Sequence, residues 1–227
     1  MFKTLLLGMF ILCVQNFRAQ TQTVEPEKVF ALYFDTFVKY DNHALADLNT
    51  YISPFLGKEN TYKMDQNEAF AKEVDQFTKN FLSSFPEEIA AQSQNEAKEF
   101  FTTMLGNFKN AEYTINSIKT IPNEHAAHQN ISEVSVEVTF KVPSKIVTPK
   151  FNDPKNISAE ELKKYLKTAT KQVADADKKI TATEIFKLYQ KKQGENIYYW
   201  NGGPEELLWK LNKFYFKNFN PENNKGR

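Results

Sequence analysis

Arginine is nearly missing from this chain, cysteine occurs once, and glycine is scarce. All but two of the 29 basic residues are lysine, the exceptions being Arg18 and Arg227. Bidentate reading of phosphates, carboxylates and guanine edges favours Arg, so nucleic acid is not an expected partner. Seven glycines in 227 residues are under half the usual share of roughly 7%, which leaves little for phosphate-cradling loops. No Gly-x-Ser-x-Gly elbow, Walker loop, dinucleotide fingerprint or His-Glu-x-x-His helix occurs. No cofactor is expected. The single Cys13 lies in the first apolar run, so the rest of the chain has no disulfide, thiol nucleophile or thiolate metal site. What remains plentiful is aromatic mass, with 20 Phe and 10 Tyr to bury.

The first apolar run is itself informative. Lys3 precedes an eleven-residue core, Thr4 to Val14, interrupted only by Thr4 and Gly8, and Gln15-Asn16-Phe17-Arg18-Ala19-Gln20 follows. This is the layout of a secretory signal peptide, residues 1–19, cut after Ala19. An eleven-residue helix rises about 16 Å, roughly half a bilayer's hydrocarbon core, so no permanent transmembrane span is expected. A lipidation site at Cys13 would want a small residue before it, and Leu12 stands there. The leader's Ala-Gln ending, with richness in Lys, Asn, Phe and Ile, resembles exported proteins of the Bacteroidota. A periplasmic or extracellular location is therefore expected. Asn130-Ile131-Ser132 and Asn156-Ile157-Ser158 are glycosylation sequons only in a eukaryotic host.

Charge is unevenly placed. Residues 20–140 hold nine Lys against eighteen acids, whereas 141–192 hold thirteen Lys against six. The Lys-rich part reads either as a weak contact for anionic surfaces or as a solvated helix beside an acidic half.

Periodicity predicts the elements. Pro26 suits a first helical position, and Phe30, Tyr33, Phe34 and Phe37 form a buried stripe. Tyr40-Asp41-Asn42 breaks that helix before a short second one with Leu45, Leu48 and Ile52. Asp65 and Glu68 mark the start of a third, faced by Phe70, Val74, Phe77 and Phe81 down to Ser83-Ser84-Phe85-Pro86. A fourth carries Ala97, Phe100, Phe101, Met104 and Phe108. Four helices are thus expected before any strand. Glu112 to Ile121 then reads as a strand with Tyr113 and Ile115 on one side, followed by strict alternation at Val134, Val136, Val138, Phe140 and Val142. Pro143 to Pro154 reads as a loop. Ser158 and Glu161 make a capping box for a helix using Leu162, Tyr165, Leu166, Ala169 and Val173. A hairpin of Glu184–Gln190 and Ile197–Trp200 is expected around Lys191–Asn196. Gly202-Gly203-Pro204 then introduces a last helix with Leu207, Leu208, Leu211, Phe214 and Tyr215. The expected class is α+β: N-terminal helices on a curved antiparallel sheet, with an inserted helix and a C-terminal helix. Residues 20–227 are expected to form one such domain.

The aromatic first helix, the Tyr-Asp-Asn break and the Ala-Leu-Ala-Asp-Leu helix that follows resemble the opening of the nuclear-transport-factor-2-like (cystatin-like) superfamily of α+β cones. The strands at 113–121 and 132–142, and the late pair ending in Tyr199-Trp200, suit that sheet. The helices at 65–108, 158–176 and after Trp200 depart from it. The resemblance implies a long first helix, an Asp-containing turn and a short second helix ahead of a curved sheet, and enzymes of the superfamily do acid–base work with Asp or His inside the cone. A fold of this kind names no activity by itself.

Candidate chemistry is sparse. Asp175-Ala-Asp177 opens like a calcium loop, but Lys179 and Ile180 stand where an oxygen ligand and a glycine belong. His125 and His128, beside Glu124, fall in an inter-strand loop with no third ligand, so no metal site is expected. His43 follows Asp41 at a helix start and is read as facing water. No catalytic residue is assigned. Tyr198, Tyr199, Trp200 and Trp209 are the candidates for lining an apolar ligand pocket, with burial in the core as the competing reading. The expected function is an exported, non-enzymatic binding or interaction protein that holds a small apolar ligand or a partner protein. The alternative is a small isomerase, dehydratase or hydrolase of the cone superfamily, with a buried Asp or His as general base.

Overall fold

A computed structural model describes residues 24–126, 128–147 and 156–219. Residues 1–19, read above as a signal peptide, with Cys13 among them, and the later part of the 143–154 loop lie outside the described residues.

The first helix, α1 (Pro26–Phe37), begins with Pro26 at its N-terminus, and Phe30, Tyr33, Phe34 and Phe37 are all buried, as the stripe predicts. Tyr40 then takes a left-handed φ of 54°, a conformation that costs a non-glycine residue on the order of 1 kcal/mol. Its ring packs against Phe70 and its hydroxyl donates to Glu73. Asp41 caps α2 (Asn42–Leu56) by accepting from the His43 and Ala44 amides. Asp65 caps α3 (Gln66–Leu82) through the Glu68 amide.

Among the described residues five α-helices, not four, precede the sheet. A six-residue helix, α4 (Glu87–Gln92), lies between α3 and α5 (Gln94–Lys109). It is too short to show a periodic face, and none of its residues is buried, so it leaves no hydrophobic pattern to read.

The sheet is an antiparallel meander in sequence order, β1 (Glu112–Pro122), β2 (Asn130–Val142), β3 (Lys178–Gln193) and β4 (Asn196–Trp200). The alternation in β2 is realised in full: Val134, Val136, Val138, Phe140 and Val142 are each at most 1% exposed. A bulge in β1 between Ile115 and Ser117 shifts the register by one. That extra residue lets Ile118 stand opposite Val134 while Ile115 stands opposite Val136, so both isoleucines stay on the covered face.

The late hairpin differs from expectation. β3 starts at Lys178 rather than Glu184, and the turn is the two residues Gly194-Glu195 between the paired Gln193 and Asn196. The early half of β3 alternates Thr with Ile180 and Ala182, and so small a buried residue as Ala182 gives a faint period-two signal. Gly194 has a φ of 62°, which a two-residue hairpin turn requires at its first position.

Between β2 and β3 stands α6 (Ala159–Ala174), which carries the full capping box: the Glu161 amide donates to Ser158 Oγ and the Ser158 amide to Glu161. The Ser158 amide and hydroxyl both donate to the Glu161 carboxylate and hold it below the usual carboxylate range. The last helix is α7 (Glu205–Phe219).

The helices lie on the covered face of the sheet. Phe30 of α1 meets Tyr113 and Phe186 at ring separations of 5.1 and 5.4 Å. Phe108 of α5 stacks on Phe140 at 5.2 Å, and Tyr215 of α7 packs on both. The opposite face is wet, with Glu137, Lys141, Thr181, Thr183 and Ile185 exposed.

Candidate binding groove at the end of the fourth strand

β4 is only five residues long, and β3 alone pairs with it. Its other edge is closed by two tyrosines from the helical layer. Tyr51 Oη accepts from the Tyr199 amide at 2.8 Å and donates to the Tyr199 carbonyl at 3.0 Å. Tyr33 Oη does the same two residues on, accepting from the Asn201 amide at 3.0 Å and donating to its carbonyl at 3.3 Å. Each hydroxyl thus supplies a donor and an acceptor where a neighbouring strand would. Burial pushes the ionisation of both phenols upward, which keeps them neutral and able to donate.

The four aromatic candidates do not converge. Tyr198 stacks on Phe55 at 4.6 Å and sits near Tyr51. Tyr199 alternates to the opposite face of β4. Trp209 on α7 is 61% exposed, with the Lys213 ammonium 5.1 Å from its ring centre. Trp200 alone borders a substantial groove. Its ring leans on Tyr189 at 5.6 Å. A Cβ at Gly202 would come within 3.0 Å of that ring, so a larger residue there would displace the tryptophan.

The groove is about 930 Å³ and runs between the outer edge of β3, Trp200 and the first turns of α7. Ile185, Tyr189 and Leu207 give it apolar surface. Its charges are largely paired off, Lys187 with Glu133 at 3.8 Å and Lys210 with Glu206 at 2.7 Å. Ile185, 52% exposed, was the readable signal for this surface: it is an apolar residue at a wet-face position of an alternating strand.

A second depression of about 270 Å³ is bordered by Phe77, Phe81, Phe101, Met104 and Phe216, among others. The sequence pattern assigned the first four to core stripes, and Phe77 and Phe81 are only half-buried.

Acid–base candidates are placed away from the interior. Among the described residues the buried polar ones are Thr36, Gln66, Thr78, Ser93 and Ser132, and no Asp, Glu or His is among them. His43 is exposed, and its amide, not its ring, is engaged by Asp41. His125 and His128 lie exposed in the turn region between β1 and β2, and no group of three potential metal ligands occurs among the described residues. Asp177 is a loop anchor, accepting from the Ser144 amide at 2.8 Å and hydroxyl at 2.9 Å. These bonds hold its carboxyl below the usual range. The Lys-rich stretch is divided over the end of β2, α6 and β3, and within it Lys167 and Lys187 pair with Glu96 and Glu133. No described helix is long and apolar enough to cross a membrane.

Compared with protein-family models, curated proteins and solved structures, the chain matches none.

Proposed function

We propose that this is an exported, non-enzymatic binding protein, and that the groove bounded by Trp200, Ile185 and Leu207 holds its ligand, a partner protein or a small apolar molecule. One observation carries the reading. The space under the sheet, where an enzyme of the cone superfamily would place its general base, is filled by Phe30, Tyr33, Phe34 and Phe186; among the described residues no Asp, Glu or His is buried as a whole, and Asp35, which buries one oxygen, gives that oxygen to the Lys39 ammonium at 2.8 Å. Meanwhile exposed Ile185 and the Trp200 ring border an open groove whose ion pairs leave little net charge. A surface of this composition suits apolar contact flanked by a few polar groups. The order helix, Asp-containing turn, helix and antiparallel sheet supports keeping the nuclear-transport-factor-2-like assignment as part of the proposal. The leader supports the exported location.

The test uses tryptophan as its own reporter. Trp200 and Trp209 are the only two tryptophans, so Trp209→Phe leaves Trp200 alone to report. Titration with the neutral apolar dye N-phenyl-1-naphthylamine is expected to quench Trp200 by energy transfer, and Ile185→Lys is expected to weaken the dye at least tenfold. Dye binding that leaves Trp200 unquenched, or that ignores Ile185→Lys, refutes the groove as the binding surface.

A further inference from the structure

β3 is sixteen residues long, yet β4 covers only Tyr189 to Gln193. From Lys178 to Leu188 its outer edge carries no strand among the described residues. Such an edge is an adhesive template, and proteins blunt it with Pro, bulges, short strands or Lys. Here the β2–β3 register runs without a shift from Ile131 to Val142. No proline interrupts β3, and lysines stand only toward its ends, at 178, 179, 187, 191 and 192. Between them, Thr181 to Phe186 carries a single charged residue, Glu184, which lines the groove. The neighbouring edge of β4, by contrast, is closed by Tyr33 and Tyr51.

The direction of the free groups follows from one bond. Asn201 Nδ2 donates to the Lys187 carbonyl at 2.7 Å, and Asn201 directly follows β4, so the main-chain groups of Lys187 point outward. Amide and carbonyl of one residue point the same way in an antiparallel strand, and alternate residues share that direction. The outward residues are therefore Lys179, Thr181, Thr183 and Ile185. Asn201 occupies the first site beyond β4, and the three after it are Ile185, Thr183 and Thr181. The groove lies along that edge.

Resting on the reading of the groove as a binding surface, we infer that its occupant is an extended peptide of a partner protein, which pairs with the open edge of β3 at Thr181, Thr183 and Ile185 as a fifth strand continuing the line of β4. Repeating donors and acceptors at strand spacing are matched by another strand and by little else. The peptide residue opposite Ile185 points to the same side as Ile185 and meets it and Trp200, so an apolar residue fits there. Residues one step either side point toward α7, where Glu184 adds one acid to the Glu206–Lys210 pair, so a basic residue fits there better than an acidic one. A second copy of this chain fits less well. The two-fold register centred on Thr183, which pairs the full Lys179–Lys187 stretch, sets Lys179 against Lys187 of the copy twice over, and like charges directly opposite destabilise a pair.

The experiment selects linear dodecapeptides from a phage-displayed random library on the mature protein, Gln20 to Arg227, and synthesises the winners for titration. Methylating single peptide amides is expected to weaken binding at least tenfold at every second position and little in between, because only alternate amides face β3. Thr183→Pro removes one outward amide, a place where an edge strand tolerates proline, and is expected to weaken binding tenfold or more, while Thr183→Val leaves it within twofold. Should Thr183→Pro fail to fold, the methylation scan on the unaltered protein decides alone. A scan without a two-residue period, binding that ignores a folded Thr183→Pro, or no selectable peptide would each overturn the strand inference. So would sedimentation showing a dimer that Thr183→Pro dissociates, since the occupant is then a second copy. Dye binding that still quenches Trp200 and responds to Ile185→Lys would keep the groove reading when the strand inference fails, and loss of both removes the groove itself.

Discussion

Replacing Tyr51 or Tyr33 by Phe tests whether the helical layer substitutes for a missing strand at β4. Tyr51→Phe deletes two hydrogen bonds to Tyr199. Because the site is only part-buried, water can replace some of that pairing, and the cost is about 1–2 kcal/mol. Tyr33 is itself 1% exposed while Asn201 is part-buried, so Tyr33→Phe leaves the Asn201 amide with less water within reach than Tyr199 has, for about 1–3 kcal/mol. The Asn201 carbonyl fares better, because Tyr62 Oη also donates to it at 3.5 Å. In a domain of this size each kcal/mol lowers the melting temperature by roughly 2–4 °C, so single variants should lose roughly 2–12 °C. Melting alone would not separate this from lost packing. Amide hydrogen exchange does: the Tyr199 amide should be protected in the parent and exposed in Tyr51→Phe, and the Asn201 amide likewise in Tyr33→Phe, each without the other. Equal protection in parent and variants, or uniform loss across β4 from either change, refutes the strand-substitute argument.

Val138→Asp should abolish folding, since an unpaired carboxylate at a fully buried position costs several kcal/mol, while Glu137→Ala on the wet face should melt near the parent by circular dichroism. Tyr33, Tyr40, Tyr51 and Tyr215 all have ionisations raised chiefly by burial. Their stabilising contribution is therefore complete below the unfolded phenol value of about 10 and is lost as pH rises above it. Urea midpoints should fall above about pH 10, and ultraviolet titration should show these phenols ionising only as the chain unfolds. Mature protein from its host is expected to begin at or near Gln20 by intact mass; a retained, unlipidated Met1–Ala19 would refute export, and diacylglycerol on Cys13 would make it a surface lipoprotein.

Elements with a strong period were legible in the chain itself. The stripe of α1 and the alternation of β2 both announce which face is buried, because large side chains recur at 3.6 or two residues. The capping box at Ser158 and Glu161 was legible for a different reason, since its two bonds depend on residues three apart. The early half of β3 was not: Ala182 and the threonines leave almost no contrast between its faces. Of the candidate site, Trp200 was picked out from the chain, whereas Ile185, readable as an apolar residue at a wet-face position, was passed over because the strand around it shows so little contrast. Tyr198 and Tyr199 look alike in sequence, but adjacent strand residues face opposite sides, so one stacks on α2 and the other turns away. Nor does any local pattern say that Tyr33 and Tyr51 bond to main chain about 150 or more residues away, because only the tertiary fold sets that distance.

That distance has a consequence for how the chain must be made. The main chain that Tyr33 bonds lies 168 residues further on, and at a synthesis rate of roughly 5–20 residues per second the helix waits roughly ten to thirty seconds for its partner to exist. Tyr62 and Tyr113 are made early enough to meet Phe37, Phe30 and Phe34, but Phe30 and Tyr33 still lack Phe186, and the Tyr33 hydroxyl its hairpin, until β3 and β4 follow. The last hairpin is therefore the clasp that closes the molecule rather than an ornament on its rim. A ribosome stalled before Asn201 would display a sticky aromatic helix and an unfinished edge, the kind of surface that holding chaperones grip.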